Sequence, residues 1–224
     1  MKTFFNIYQY LALLVIFPIA YYFWLMRYEG DHELVILIMS LPILFSYIVP
    51  AVGTNVLKLW DFNTRLKLGR FRPHHGFVFG SATGLITVFT LPFLPDQNGV
   101  GAVLQAGFIM GSVLGLWNWI YDLFAIKARF MIVYNRYWFE GKTPEEISLS
   151  YAPAFFGLFG FFFGVSVKLI ESHWFENPDP LNFWGILLVS NILIIAVSVG
   201  SYGLFSYLTI GETGFKSYEQ DKLD

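Results

Sequence analysis

The chain has 224 residues, of which 13% are charged, 56% hydrophobic and 20% aromatic, with a mean hydropathy of +0.56; soluble domains usually carry about 25% charged residues. A net charge of −2 and a pI near 6.1 provide no basic field, so nucleic acid is excluded as a partner. The absence of cysteine removes disulfides, thiolate nucleophiles, iron–sulfur clusters and cysteine zinc sites together.

In chain order, Lys2 precedes an apolar stretch running from Tyr8 to Met26. That stretch is too long and aromatic for a signal-peptide core, and no small-x-small cleavage site follows, so it reads as a retained first span. A membrane span needs about 20 apolar residues, and six segments qualify: 8–26, 34–57, 76–94, 102–124, 150–170 and 183–209. The fold class is therefore an all-α integral membrane protein, a bundle of about six transmembrane helices. Residues 1–210 form a single transmembrane domain and 211–224 a short polar cytoplasmic tail.

The connections alternate in character. Segments 27–33, 95–101 and 171–182 are short and mostly acidic, whereas 58–75 and 125–149 are longer and basic. Of the 14 Lys and Arg residues, Arg27 falls on one side and Lys168 near the outer end of the fifth span, where its stem can snorkel; the other 12 share one face. The positive-inside rule makes that face cytoplasmic, with both termini inside, in a cell or inner membrane. The tryptophans read as interfacial: Trp60, Trp117, Trp119 and Trp138 on the inner side, Trp24, Trp174 and Trp184 on the outer.

Between the fourth and fifth spans, residues 123–139 mix apolar bulk with Lys127, Arg129 and Arg136, which suggests a helix lying on or leaving the inner interface. Thr143-Pro144-Glu145-Glu146 then supplies a capping hydroxyl, Pro at the first helical position and Glu three residues on. This predicts a short interfacial helix feeding the fifth span, bent at Pro153.

Lipid offers no hydrophobic drive for helix pairing, so small residues that admit a close backbone matter. Gly76, Gly80 and Gly84 form a stripe on the third span, and Gly107, Gly111 and Gly115 one on the fourth; Gly157, Gly160 and Gly164 lie in the fifth. The short loop between the third and fourth spans makes them antiparallel neighbours, and the stripes read as grooves for helices of this chain or of another subunit.

The histidines are split by topology, His32 and His173 outside and His74 and His75 inside, so neither side can supply three to a zinc ion. No metal site or cofactor is implied, and no motif identifies a reaction. Arg70, Arg72, His74 and His75 sit at the inner start of the third span, and Asn118, Asp122, Lys127 and Arg129 around the inner end of the fourth. Asn118 and Asp122 are one turn apart and share a face, with Lys127 and Arg129 close enough in sequence to neutralise the carboxylate. Forked guanidiniums beside a helix start suit a phosphate or carboxylate. The candidate site is thus these eight residues, rimmed by Trp117, Trp119 and Tyr121.

Two functions follow. One is a protein that binds or processes a lipid-like amphiphile with an anionic headgroup at the cytoplasmic leaflet. The other is a non-catalytic subunit of a larger homo- or hetero-oligomeric membrane complex, in contact through its glycine grooves and Phe-rich faces. A small channel or carrier fits least, because intramembrane polar residues are few. Membrane lipids are the expected partners in every case.

Overall fold

The computed structural model describes residues 1–91, 99–176 and 180–219. Asp96 and Asn177, in two of the expected outer connections, and Lys222 lie outside the described residues. The elements are α1 (Lys2–Arg27), α2 (His32–Val56), β1 (Trp60–Phe62), α3 (His75–Thr90), α4 (Val100–Lys127), β2 (Met131–Val133), α5 (Arg136–Phe139), α6 (Pro144–Leu149), α7 (Ala152–Glu176) and α8 (Pro180–Ile210). Five helical stretches are long and apolar enough to cross a membrane by length and composition. The third apolar helix, α3, has 16 residues, or about 24 Å at 1.5 Å per residue, shorter than a hydrocarbon core of about 30 Å.

Local sequence explains the breaks. α1 widens into a π-turn at Ala12–Ile16 just before Pro18, which has no N–H to donate, and α2 does so at Val52–Val56 just after Pro50. Asp31 caps α2 by accepting from the Leu34 N–H at 2.9 Å, a cap worth about 1 kcal/mol. Thr143 and Glu146 form the reciprocal capping box that starts α6. The chain turns at Ser150 and Tyr151 before Pro153, so α6 and α7 are separate helices.

Which helices touch differs from the sequence expectation. The third and fourth apolar helices, α3 and α4, meet only slightly. α3 instead lies against α2 and α1, while α4 packs along most of α7. The glycines give the reason. A Cβ at Gly80 would meet Ile43 Cα at 2.9 Å, one at Gly84 would meet Met39 Sδ at 2.5 Å, and one at Gly76 would strike the Tyr47 ring, all on α2. On α4, a Cβ at Gly111 would meet Gly157 O at 2.9 Å, one at Gly115 would meet Gly157 Cα at 3.3 Å, and one at Gly107 would meet Phe161 at 2.9 Å. Gly160 and Gly164 of α7 are set against the Met110 and Ala106 carbonyls. The two stripes thus do not face each other: that of α3 receives α2, the helix before it, and that of α4 receives α7, which approaches glycine to glycine.

Three further expectations are corrected. Residues 123–139 are not one helix: α4 ends at Lys127, Arg129 takes φ 53°, and Met131–Val133 pairs antiparallel with Trp60–Phe62. The alternate apolar residues Met131 and Val133 are buried while Ile132 is exposed, the period of a strand. Trp24 is no interfacial anchor, being fully buried with its Nε1–H donating to Gly84 O at 2.9 Å. Lys168 does not snorkel; it is buried and pairs with Glu171 at 3.4 Å. Glu171 also accepts from Arg27 at 3.0 Å and from the Tyr28 hydroxyl at 2.8 Å, and Arg27 donates to Leu91 O at 2.8 Å.

At the opposite end, the β1–β2 pair ties the two basic loops together over a small core of Phe5, Phe62, Ala125, Phe130, Met131, Val133 and Ile147. The tail folds back onto this layer: the Tyr218 N–H donates to Tyr134 O at 2.8 Å.

Candidate functional site

A cavity of about 730 Å³ runs from this layer into the bundle between α2, α3, α4, α7 and α8. Its apolar wall includes Phe45, Val49, Phe79, Ile86, Leu114 and Phe155. From His75 to Ile86 on α3 is eleven residues, about 16 Å of helix, comparable to half of a bilayer core about 30 Å thick. The polar end carries Tyr8, Arg72, His75, Asn118, Tyr121, Asp122 and Tyr151.

Arg72 sets the electrostatics of that end. It sits in the turn that delivers the chain into α3, only 1% exposed. Its guanidinium lies over the Phe62 ring at 4.3 Å and the Phe130 ring at 5.4 Å, cation–π contacts that soften burial without neutralising the charge. Nη2 donates to His75 Nδ1 at 3.1 Å, while Nε and Nη1 make no hydrogen bond of normal geometry. No described carboxylate lies within ion-pair distance of it. Burial lowers its affinity for its proton, and the nearby Tyr121 hydroxyl, then Tyr8 and Asp122, offset only part of this.

The arginine also fixes the neighbouring ring. A guanidinium can only donate, so His75 Nδ1 is an acceptor, the imidazole is neutral and Nε2 carries the hydrogen. Next to it, the Tyr121 hydroxyl makes no hydrogen bond of normal geometry, though it lies close enough to Arg72 to interact electrostatically. The Asn118 amide donates to Leu114 O at 2.9 Å. Asp122 accepts from the Tyr151 hydroxyl at 2.6 Å.

Of the eight candidate residues, the cavity wall brings together Arg72, His75, Asn118 and Asp122. The other four have different neighbours. Arg70 is ion-paired with Glu219 of the tail at 2.8 Å. His74 bonds through Nε2 to Gln9 Oε1 at 2.9 Å and stacks on Tyr10. Burial, and next the charge of Arg72, hold the His74 pKa down at about 4. Lys127 is ion-paired with Glu145 rather than with Asp122; five residues along a helix is a rotation of about 140°, so the two side chains leave α4 in different directions. Arg129 ends the turn after α4, where its carbonyl accepts from Asn63.

Tyr8, Tyr151 and the tail residues were not singled out from the sequence. Tyr8 carried no signal, being one hydroxyl in an aromatic run. The tail did carry one: Phe215 and Tyr218 are aromatic within a polar stretch, next to Gly211 and Gly214. Among the described residues, no group of three or more His, Asp or Glu is placed to hold a metal ion. A scan against protein-family models matches nothing, and searches of curated proteins and of solved structures return no match.

Proposed function

We propose that this is a six-span membrane protein with both termini cytoplasmic, and that it holds a single-chain amphiphile with an anionic headgroup at the level of the inner leaflet. The headgroup sits among Arg72, His75, Asn118 and Tyr121, and the chain lies along Phe45, Phe79, Ile86, Leu114 and Phe155. Lipid is the source of the ligand, and the glycine stripes of α3 and α4 are the grooves that let the walls close around it.

The observation that carries this reading is the buried, uncompensated charge of Arg72 at the polar end of an apolar cavity. A buried charge without a partner costs several kcal/mol, which an anion from outside the chain can offset. The charge count favours a monoanion. Beside Arg72, His75 is neutral and Asp122 adds a carboxylate, and the other cations of the wall, Arg136, Lys142 and Lys216, are accompanied by Glu140 and Glu212, so a dianionic phosphate monoester meets more repulsion than a carboxylate does. A long-chain carboxylate is the ligand class that fits best.

The test is stabilisation by added palmitate, read as the thermal midpoint in detergent, for the wild type, Arg72→Gln and Asp122→Ala. Palmitate raises the wild-type midpoint, fails to raise that of Arg72→Gln, and still raises that of Asp122→Ala. Equal stabilisation of wild type and Arg72→Gln removes the arginine from the site. If Asp122→Ala unfolds the bundle whatever is added, the polar group is a structural cap instead.

The complex-subunit alternative draws on the exposed apolar faces of α8, including Trp184, Leu188, Ile192 and Leu208. Lipid covers such faces equally well, so they do not favour it.

A further inference from the structure

We infer that the described part of the C-terminal tail, residues 211–219, is a hinged strap that gates the aqueous mouth of this cavity. The inference rests on the cavity being a ligand site, but its geometry stands separately. Glu212, Gly214, Phe215, Lys216 and Tyr218 all contribute to the cavity wall, so the tail is a side of the chamber as well as an extension of α8.

The strap has a hinge, a plug and a latch. The hinge is Gly211 and Gly214, with φ of 75° and 74°, a left-handed backbone that glycine adopts without strain. Gly211 ends α8, and Gly214 turns the chain back over the cavity. The plug is Phe215, whose ring meets Tyr202 edge-on at 5.8 Å and fills the space beside Gly203; a Cβ there would lie 2.8 Å from that ring. The latch is polar. Glu219 pairs with Arg70 at 2.8 Å, the Ser217 hydroxyl donates to Lys58 O at 2.8 Å, and the Tyr218 N–H donates to Tyr134 O at 2.8 Å. The latch therefore engages both basic loops, on either side of the β1–β2 pair.

These contacts differ in kind from those that hold the helices. The bundle closes through glycine-to-backbone packing, whereas the strap is fastened by a partly exposed ion pair, by hydrogen bonds and by the rings of Phe215 on Tyr202 and Tyr218 on Phe139. Segments held this way open at lower free energy than packed helices. Arg70, which the sequence suggested as a headgroup ligand, serves here as the anchor of the latch.

The chain has no cysteine, so single thiols report cleanly. Thr83 lines the cavity and is buried. In a Thr83→Cys background, the rate of labelling by a small cationic methanethiosulfonate reagent measures access from water. Adding Glu219→Gln raises that rate roughly two- to fivefold, the range a partly exposed ion pair supports, and Phe215→Ala raises it further. Unchanged labelling in both variants, with unchanged melting, overturns the gate whatever the ligand.

A second arm locks the strap: Lys58→Cys with Ser217→Cys is bridged by a short bis-methanethiosulfonate linker that dithiothreitol releases. Uptake of 11-(dansylamino)undecanoic acid slows when bridged and recovers on release. Equal uptake in the two states also overturns the gate. If the probe binds in neither state while thiol labelling responds as stated, the gate stands and the carboxylate reading of the site falls.

Discussion

Two buried arginines mark the two ends of this molecule, and their surroundings differ. Arg27, at the end proposed to be outer, is answered by Glu171 at 3.0 Å and the Leu91 carbonyl at 2.8 Å, with Tyr28 also donating to the carboxylate. Arg72, at the end proposed to be inner, has a neutral imidazole, two aromatic rings and no carboxylate within ion-pair distance among the described residues. Both are nearly inaccessible to water. One is built as a closed joint between α1, α7 and the end of α3. The other stands at the polar end of a cavity. A buried charge with its counter-charge in place is architecture, while one whose counter-charge the chain does not supply calls for a partner from outside.

The strongest test of the outer joint is Glu171→Gln. It removes the carboxylate that Arg27 and Lys168 share, and breaking a buried pair in this way costs about 3–5 kcal/mol. The thermal midpoint in detergent should fall further than for any single change at the inner end. A midpoint within error of wild type would make the outer joint no more structural than the inner one.

Next come the glycine contacts, which should grade by what an added methyl meets. Gly80→Ala meets Ile43 backbone and Gly111→Ala meets the Gly157 carbonyl, so each should cost about 1–3 kcal/mol as overpacking. Gly84→Ala meets the flexible end of Met39, and Gly115→Ala meets Gly157 and Pro153 backbone at 3.3 Å, tight but looser than the contacts at Gly80 and Gly111; both should cost less. Equal melting of all four variants would contradict the packing described for α2–α3 and α4–α7.

A smaller effect is expected from pH. The folded state holds the His74 pKa at about 4, below the free value of about 6.5. Between these values the unfolded chain binds the proton and the folded chain does not. Stability therefore rises with pH across that window, is lost as pH falls through it, and changes no further from this group below about 4. His74→Gln should flatten the melting profile between pH 4 and about 6.5; an unchanged slope would assign it to other groups. The smallest effect belongs to the exposed Lys127–Glu145 pair: Glu145→Gln should barely shift the thermal midpoint, and less still at high salt.

Much of the fold was legible in the sequence. Runs of apolar residues of membrane length gave the helices, and the Thr143 capping box gave the start of α6, because both are local properties. Helix partners were not legible. Chain order suggested that the third and fourth helices pair, but glycine stripes announce a groove without naming its occupant, and α2 and α7 took them. The short strand at Met131–Val133 was hidden because three residues carry too few alternations to separate it from the adjoining helix pattern. Four of the eight candidate residues, Arg72, His75, Asn118 and Asp122, share the cavity wall for a geometric reason: they sit where α3 and α4 meet the β1–β2 layer. Arg70 and Lys127 pair elsewhere, with Glu219 and Glu145, from distant segments that no local spacing reveals.

On the proposed function, the charge of Arg72 is answered by a ligand. Native mass spectrometry of the protein purified from membranes in mild detergent tests it most directly, on wild type and Arg72→Gln side by side. The wild type should show a population carrying an added mass that dissociates as a long-chain carboxylic acid. This population should be depleted in Arg72→Gln, whose melting in delipidated form should be at least equal to wild type. The same adduct at the same occupancy in both proteins, or no adduct with a loss of stability in Arg72→Gln, would contradict it.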